Sequence, residues 1–200
     1  MNKPEYSSSL KKTPFDYLIS KKIGSMIGDG LLYKDIYHKC FDENFVGIES
    51  EQRRREVTNV VYERIHQLDE QLLSYFLNDS LSTSKFVLVY AIAKSDRLFS
   101  EFLLSVYREA ILGDKHYISI SDFQDFFASI KQKNLFVAKW TDTTIRDLAT
   151  GYRNVLVESG LCSRVKKTMV PNGIIVNPSA VQHIEDIGDK VYLQAILGVK

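Results

Sequence analysis

From Lys139 to Val176 the chain reads KWTDTTIRDLATGYRNVLVESGLCSRVKKTMVPNGIIV, a helix signal followed by the one convincing β signal in the sequence. Thr141 is a good N-cap, and the helix it opens runs to Glu158 with Gly160 as its stop. Ile145, Leu148, Tyr152 and Leu156 share one face of that helix. The β-branched segments 164–170 and 174–176 then flank Pro171-Asn172-Gly173, and Asn-Gly between apolar runs predicts a hairpin turn at that point. Upstream, residues 117–120 read as an extended link, and Ser121 as the cap of a helix carrying Phe123, Phe126, Phe127 and Ile130. A loop at Asn134 joins the two helices. Helix, loop, capped helix and hairpin is the order of a winged helix-turn-helix.

Charge is gathered on the same stretch. Between residues 131 and 176, Lys131, Lys133, Lys139, Arg146, Arg153, Arg164, Lys166 and Lys167 stand against Asp142, Asp147 and Glu158. Residues 101–130 have the opposite balance, two basic side chains against five acidic ones. At about 100° per residue, Thr143, Arg146, Thr150, Arg153 and Asn154 fall opposite the apolar face of the capped helix. These are residue types that contact phosphates and base edges. Arg164, Lys166 and Lys167 are expected at the base of the hairpin, where a wing grips the backbone. Double-stranded DNA is the partner this pattern predicts. An amphipathic surface helix shows the same polar face, and winged helices also serve as protein-docking modules, so an interaction adaptor is the alternative.

The rest of the chain predicts helices. Residues 1–12 form a polar, serine-rich arm ending in Lys11 and Lys12, the kind of basic arm that enters a minor groove. Thr13 reads as an N-cap with Pro14 at the first helical position, and the helix ends at Gly28-Asp29-Gly30. A short helix covers 31–41 and a loop 42–49. From Ser50, the residues Val57, Val61, Ile65, Leu68, Leu72 and Phe76 keep the 3.6-residue period. At about 1.5 Å per residue they predict one helix roughly 40 Å long. Arg53-Arg54-Arg55 near its start reads as a solvated helix face. Helices over 83–94 and 96–112 are apolar on several faces and should form the buried centre. Pro178 and Ser179 start a closing helix that breaks near Gly188, before a last short helix to Leu197. The expected architecture is therefore mainly α: an arm (1–12), a helical bundle (13–115) and a winged-helix-like part with closing helices (116–200).

Composition narrows the function. The chain has 200 residues, 26 Lys plus Arg against 25 Asp plus Glu, and 44% hydrophobic residues, as a folded domain rather than a polycation or disordered tail does. Cys40 and Cys162 stand outside any CxxC spacing, which excludes a disulfide framework and points to the cytoplasm. The N-terminal residues lack an apolar signal-peptide core, and the longest apolar run, 86–93, is too short to span a bilayer, so no membrane partner is expected. His38, His66, His116 and His183 have no i, i+4 partner for a metal. Gly24, Gly28 and Gly30 lack the strand and Lys-Ser/Thr of a phosphate loop, and no GxSxG elbow is present. The clusters Asp122/Asp125 and Glu185/Asp186/Asp189 fit solvated helix surfaces. No catalytic site, cofactor or small-molecule substrate is expected.

Three stretches resemble the BrxA family, a small component of bacterial BREX phage-exclusion systems. They are Tyr6-Ser7-Ser8-Ser9-Leu10, AIAKSDRLFSEFLLSVYRE from Ala91 to Glu109, and KWTDTTIRDLATGYRNVLVESGLC from Lys139 to Cys162. The third is the most specific, with its Lys-Trp-Thr cap and Gly-Leu ending, and the spacing between the three fits nearly the whole chain. The resemblance implies a helical protein with helix-turn-helix-like parts that binds DNA, works with other BREX proteins and has no catalytic residues. The chain departs from the family in its short C-terminal end.

Overall fold

A computed structural model describes residues 6–199, so the first five residues of the expected arm lie outside the described residues. The architecture is mainly α with one two-stranded antiparallel hairpin. After a 3-10 turn (Ser9–Lys11), helix α1 (Tyr17–Gly28) begins four residues beyond the expected cap at Thr13. The reason lies in the carbonyls of Thr13 and Pro14, which accept from the buried guanidinium of Arg64 instead of starting a helix. Thr13 Oγ1 is engaged too, accepting from Arg53 at 3.0 Å.

Helix α2 (Tyr33–Tyr37) runs into a π-type turn (His38–Asp42). Ser50 caps α3 (Glu51–Ile65), as expected. The single 40 Å helix is not formed. The chain breaks after Ile65, and Asp69 caps a separate α4 (Glu70–Asn78), its carboxylate accepting from the Leu72 amide at 2.8 Å. The periodic apolar residues are all buried, so the period survives a change of helix axis and gives no sign of it.

Ser80 caps α5 (Leu81–Ser95), which is buried almost all round from Phe86 to Ala93, the pattern of a central helix. Asp96 caps α6 (Arg97–Phe102), which continues through a π-type segment (Leu103–Tyr107) into α7 (Arg108–Leu112). The cap of α8 (Ile120–Lys133) is Ser119 rather than Ser121, in a capping box whose other half is Asp122. Asn134 caps the one-turn helix α9 (Leu135–Ala138), and Thr141 caps α10 (Asp142–Glu158) as expected. Strands β1 (Cys162–Val165) and β2 (Thr168–Pro171) follow, then α11 (Pro178–Asp186) and α12 (Lys190–Leu197).

Tyr152 ties α10 to its neighbours. Its buried ring lies 5.0 Å from Phe99, 5.1 Å from Phe102 and 5.6 Å from Phe127, which brings α6, α8 and α10 together. Burying such rings supplies both area and edge-to-face attraction, and it fixes which side of α10 is left outside.

The hairpin is shifted from its expected register. Its turn is Lys166-Lys167, with Val165 opposite Thr168 and Cys162 opposite Pro171. Cys162 and Met169 are buried, and Met169 forms a further bridge to Ile118 through paired N–H···O bonds of 2.8 Å. Asn172 closes the open end: its amide donates to the Leu161 carbonyl and its side chain to the Gly160 carbonyl. Asn-Gly is thus used up at the foot of the hairpin, and residues 174–176 are not a strand.

Candidate nucleic-acid interface

The outer side of α10 follows from its packing. With Leu148, Gly151, Tyr152, Val155 and Leu156 buried, Thr143, Arg146 and Thr150 are exposed, and Arg153 and Asn154 are half-buried beside them. Thr150 and Arg153 are held to each other: the Arg153 guanidinium donates to Thr150 Oγ1 at 2.9 Å, and Thr150 Oγ1 donates to the Arg146 carbonyl at 3.0 Å. Arg153 Nε donates to the Ala149 carbonyl, so its head lies along the helix instead of sweeping through solvent.

Arg164 reaches the same place from β1. It pairs opposite Met169, so it belongs to the hairpin face that turns toward the domain, yet its side chain is exposed. Burial first, and then the neighbouring Arg164 charge, hold the Arg153 guanidinium below its usual range. Lys166 and Lys167 project from the tip of the hairpin, not from its base as expected, and both are exposed. Lys166 has a φ of 55°, a left-handed conformation that a two-residue turn requires and a lysine adopts at some cost. Lys139, at the end of α9, is exposed one turn before α10.

The other basic residues are less free. Lys131 is half-buried and lies 3.3 Å from Asp142, and Arg146 is 3.8 Å from Asp147. Lys12 donates to both oxygens of Glu56 at 3.0 Å, which ties the expected arm to α3. Lys11 is exposed, but Leu10 beside it is wholly buried, and the Leu10 carbonyl lies 2.0 Å from where a Cβ on Gly151 would stand. From Ser9 onward the arm is therefore packed against α10.

Two features escaped the sequence reading. An open groove of about 510 Å³ runs between α8 and α10, floored by Phe123, Phe127 and Ile145 and edged by Lys131, Arg146 and Arg153. The α9 turn exposes Leu135 (87%) and Phe136 (56%), the latter edge-on to Trp140 at 5.8 Å. The short apolar run Leu135-Phe136-Val137 was the available signal for the second.

Fold and surface together define a mainly α protein in which a capped helix packs against a hairpin and each carries exposed basic side chains. The family model for BrxA matches residues 4–188, and the chain belongs to the BrxA family. It is 29% identical over 193 residues to the BREX protein BrxA of Bacillus cereus (strain H3081.97), covering 96% of each chain. Its fold is similar to that in a crystal structure of an uncharacterized protein from Magnetospirillum magneticum, with a TM-score of 0.83 over 96% of this chain and 98% of the other. At 17% identity that second likeness concerns the fold alone. Among the described residues, no helix is long and apolar enough to cross a membrane, and no group of three His, Cys, Asp or Glu side chains is placed to hold a metal ion.

Proposed function

We propose that this chain is a non-enzymatic, cytoplasmic DNA-binding component of a BREX phage-exclusion system, working with other BREX proteins. In this reading residues 116–200 act as a winged-helix-like reader. α10 lies along double-stranded DNA with Thr143, Arg146, Thr150, Arg153 and Asn154 outward, and Arg164, Lys166 and Lys167 grip the backbone as a wing. Lys139 adds a phosphate contact, as do Lys11 and, when released from Glu56, Lys12. The observation that carries the reading is that α10 packs against β1, with the half-buried Arg153 on one and the exposed Arg164 on the other near enough for the second charge to act on the first. Folding gains nothing from that arrangement, whereas a polyanion stabilises it.

Phosphate contacts supply most of the affinity in this reading, and the helix face at most a modest sequence preference. Fluorescence anisotropy with a labelled duplex between about 50 and 200 mM salt tests it. Log affinity should fall linearly with log salt, and replacing Arg164, Lys166 and Lys167 together by Ala should flatten that slope by about 2 to 3. Absent binding, or binding insensitive to salt, defeats the reading.

An adaptor role draws support from a separate observation, the exposed Leu135 and Phe136 beside Trp140. Exposed apolar side chains of this size serve protein contacts better than phosphate contacts.

A further inference from the structure

The groove between α8 and α10 asks for an occupant that a duplex does not supply. Its floor is Phe123, Phe127, Ile145 and Ala149, and phosphates and base edges offer little to fill an apolar floor. Its volume, about 510 Å³, lies in the range of pockets that enclose several side chains. Its rim is cationic. Arg146 and Arg153 stand along the α10 wall and Lys131 along the α8 wall, with Asp142, held by Lys131, as the acidic side chain at one end. Arg153 has no carboxylate partner among the described residues.

We propose that this groove binds an acidic amphipathic helical segment of a partner protein. Apolar side chains at i, i+3, i+4 and i+7 would seat on Phe123, Phe127 and Ile145, and flanking Asp or Glu side chains would pair with Arg146 and Arg153. Charge complementarity selects acidic segments over basic ones, because a basic segment would bring like charges against two arginines in a partly desolvated site. The segment and a duplex share Arg146 and Arg153, so each excludes the other from this face. The site is defined by the groove and not by the duplex reading, and it stands if no DNA binds.

The test is a displayed library of peptides of about 15 residues, roughly four helical turns. Leu or Phe is fixed at i, i+3, i+4 and i+7, with Asp, Glu, Lys and Ser varied elsewhere. Selection on the full chain should enrich acidic members, and a labelled winner should lose affinity at least about tenfold against Ala128→Trp, a fill of the groove from an exposed position. Arg146→Glu should turn the selection toward lysine-rich peptides. Unlabelled winner should displace duplex from the wild type, if duplex binds at all. No enrichment, enrichment without acidic bias, or a winner that binds Ala128→Trp as well as wild type overturns the groove proposal. A winner that behaves as expected on a protein that binds no duplex overturns the DNA reading alone.

Discussion

Arg153 on α10 and Arg164 on β1 approach closely enough for the second charge to disfavour the first, and no carboxylate among the described residues pairs with either guanidinium. Two packed elements, a helix and a strand, thus carry like charges toward each other. A pair of this kind separates stability from binding. Arg164→Gln removes the repulsion and leaves an exposed strand position otherwise unchanged, so the thermal midpoint should stay level or rise slightly, within about 0.5 kcal/mol of stability. The same variant should bind duplex more weakly at about 100 mM salt, with a slope reduced by about 1. Thermal unfolding and anisotropy on one preparation check both halves, and a loss of stability without a loss of affinity would mean that Arg164 serves the fold.

The close approach of the Leu10 carbonyl to Gly151 makes a second prediction. An exposed glycine inside a helix costs about 1 kcal/mol relative to alanine, so Gly151→Ala in an open helix would stabilise. Here the added Cβ would stand 2.0 Å from a backbone oxygen, and the 3-10 turn would have to move off α10. We expect a loss of about 1 to 3 kcal/mol in urea unfolding. Combined with Leu10→Ala the loss should be less than the sum of the two, since both variants release the same segment. Full additivity would show that the turn stays docked.

Asp96 predicts a pH dependence. One of its oxygens accepts from the Phe99 amide at 3.0 Å, capping α6, and the side chain is almost wholly buried. Burial raises its carboxyl to about 6, against the opposing pull of the Phe99 amide and of Arg64. Unfolded, it would sit at about 3.9. The folded protein therefore holds this proton more tightly: the stabilisation is complete below about pH 4 and is lost as pH rises through about 6. Burial raises Asp16 as well, against Arg64 and Arg53, so it acts in the same direction. Asp69 and Asp122 are lowered and act oppositely, so the useful quantity is a difference between proteins. Asp96→Asn keeps an equally good cap. Its stability relative to wild type should climb between about pH 4 and 6 and then level off. A difference that stays flat across this range would mean that Asp96 does not titrate there.

Much of the cap chemistry was legible. Ser50, Thr141 and Gly160 act as their residue types predict, because a cap is satisfied within three or four residues of chain. What was not legible depended on partners distant in sequence. Thr13 fails as a cap because Arg64, about fifty residues away, takes its carbonyl. The break before Asp69 hides under an apolar period that two packed helices share. Of the candidate interface, the face of α10 was visible as a 3.6-residue pattern. The position of Lys166 and Lys167 was not, since it follows from which strand residues the core buries.

That register yields the last prediction. If the hairpin turned at Asn172-Gly173, Gly173 would need a positive φ and Gly173→Ala would be costly. In the structure Gly173 has no positive φ and no atom of the described residues lies within 4 Å of a Cβ built on it, so Gly173→Ala should change stability by less than about 0.5 kcal/mol. The strained position is Lys166, at φ 55°. Lys166→Gly should relieve the conformational cost and raise stability by about 0.5 to 1 kcal/mol, even as it removes a charge proposed to meet phosphate. The two glycine changes therefore have opposite signatures under the two registers. Thermal midpoints of the pair decide between them: a silent Gly173→Ala with a stabilising Lys166→Gly keeps both lysines at the exposed tip, where the proposed wing needs them. The reverse outcome would move the turn six residues along the chain and take the hairpin's two lysines out of the turn.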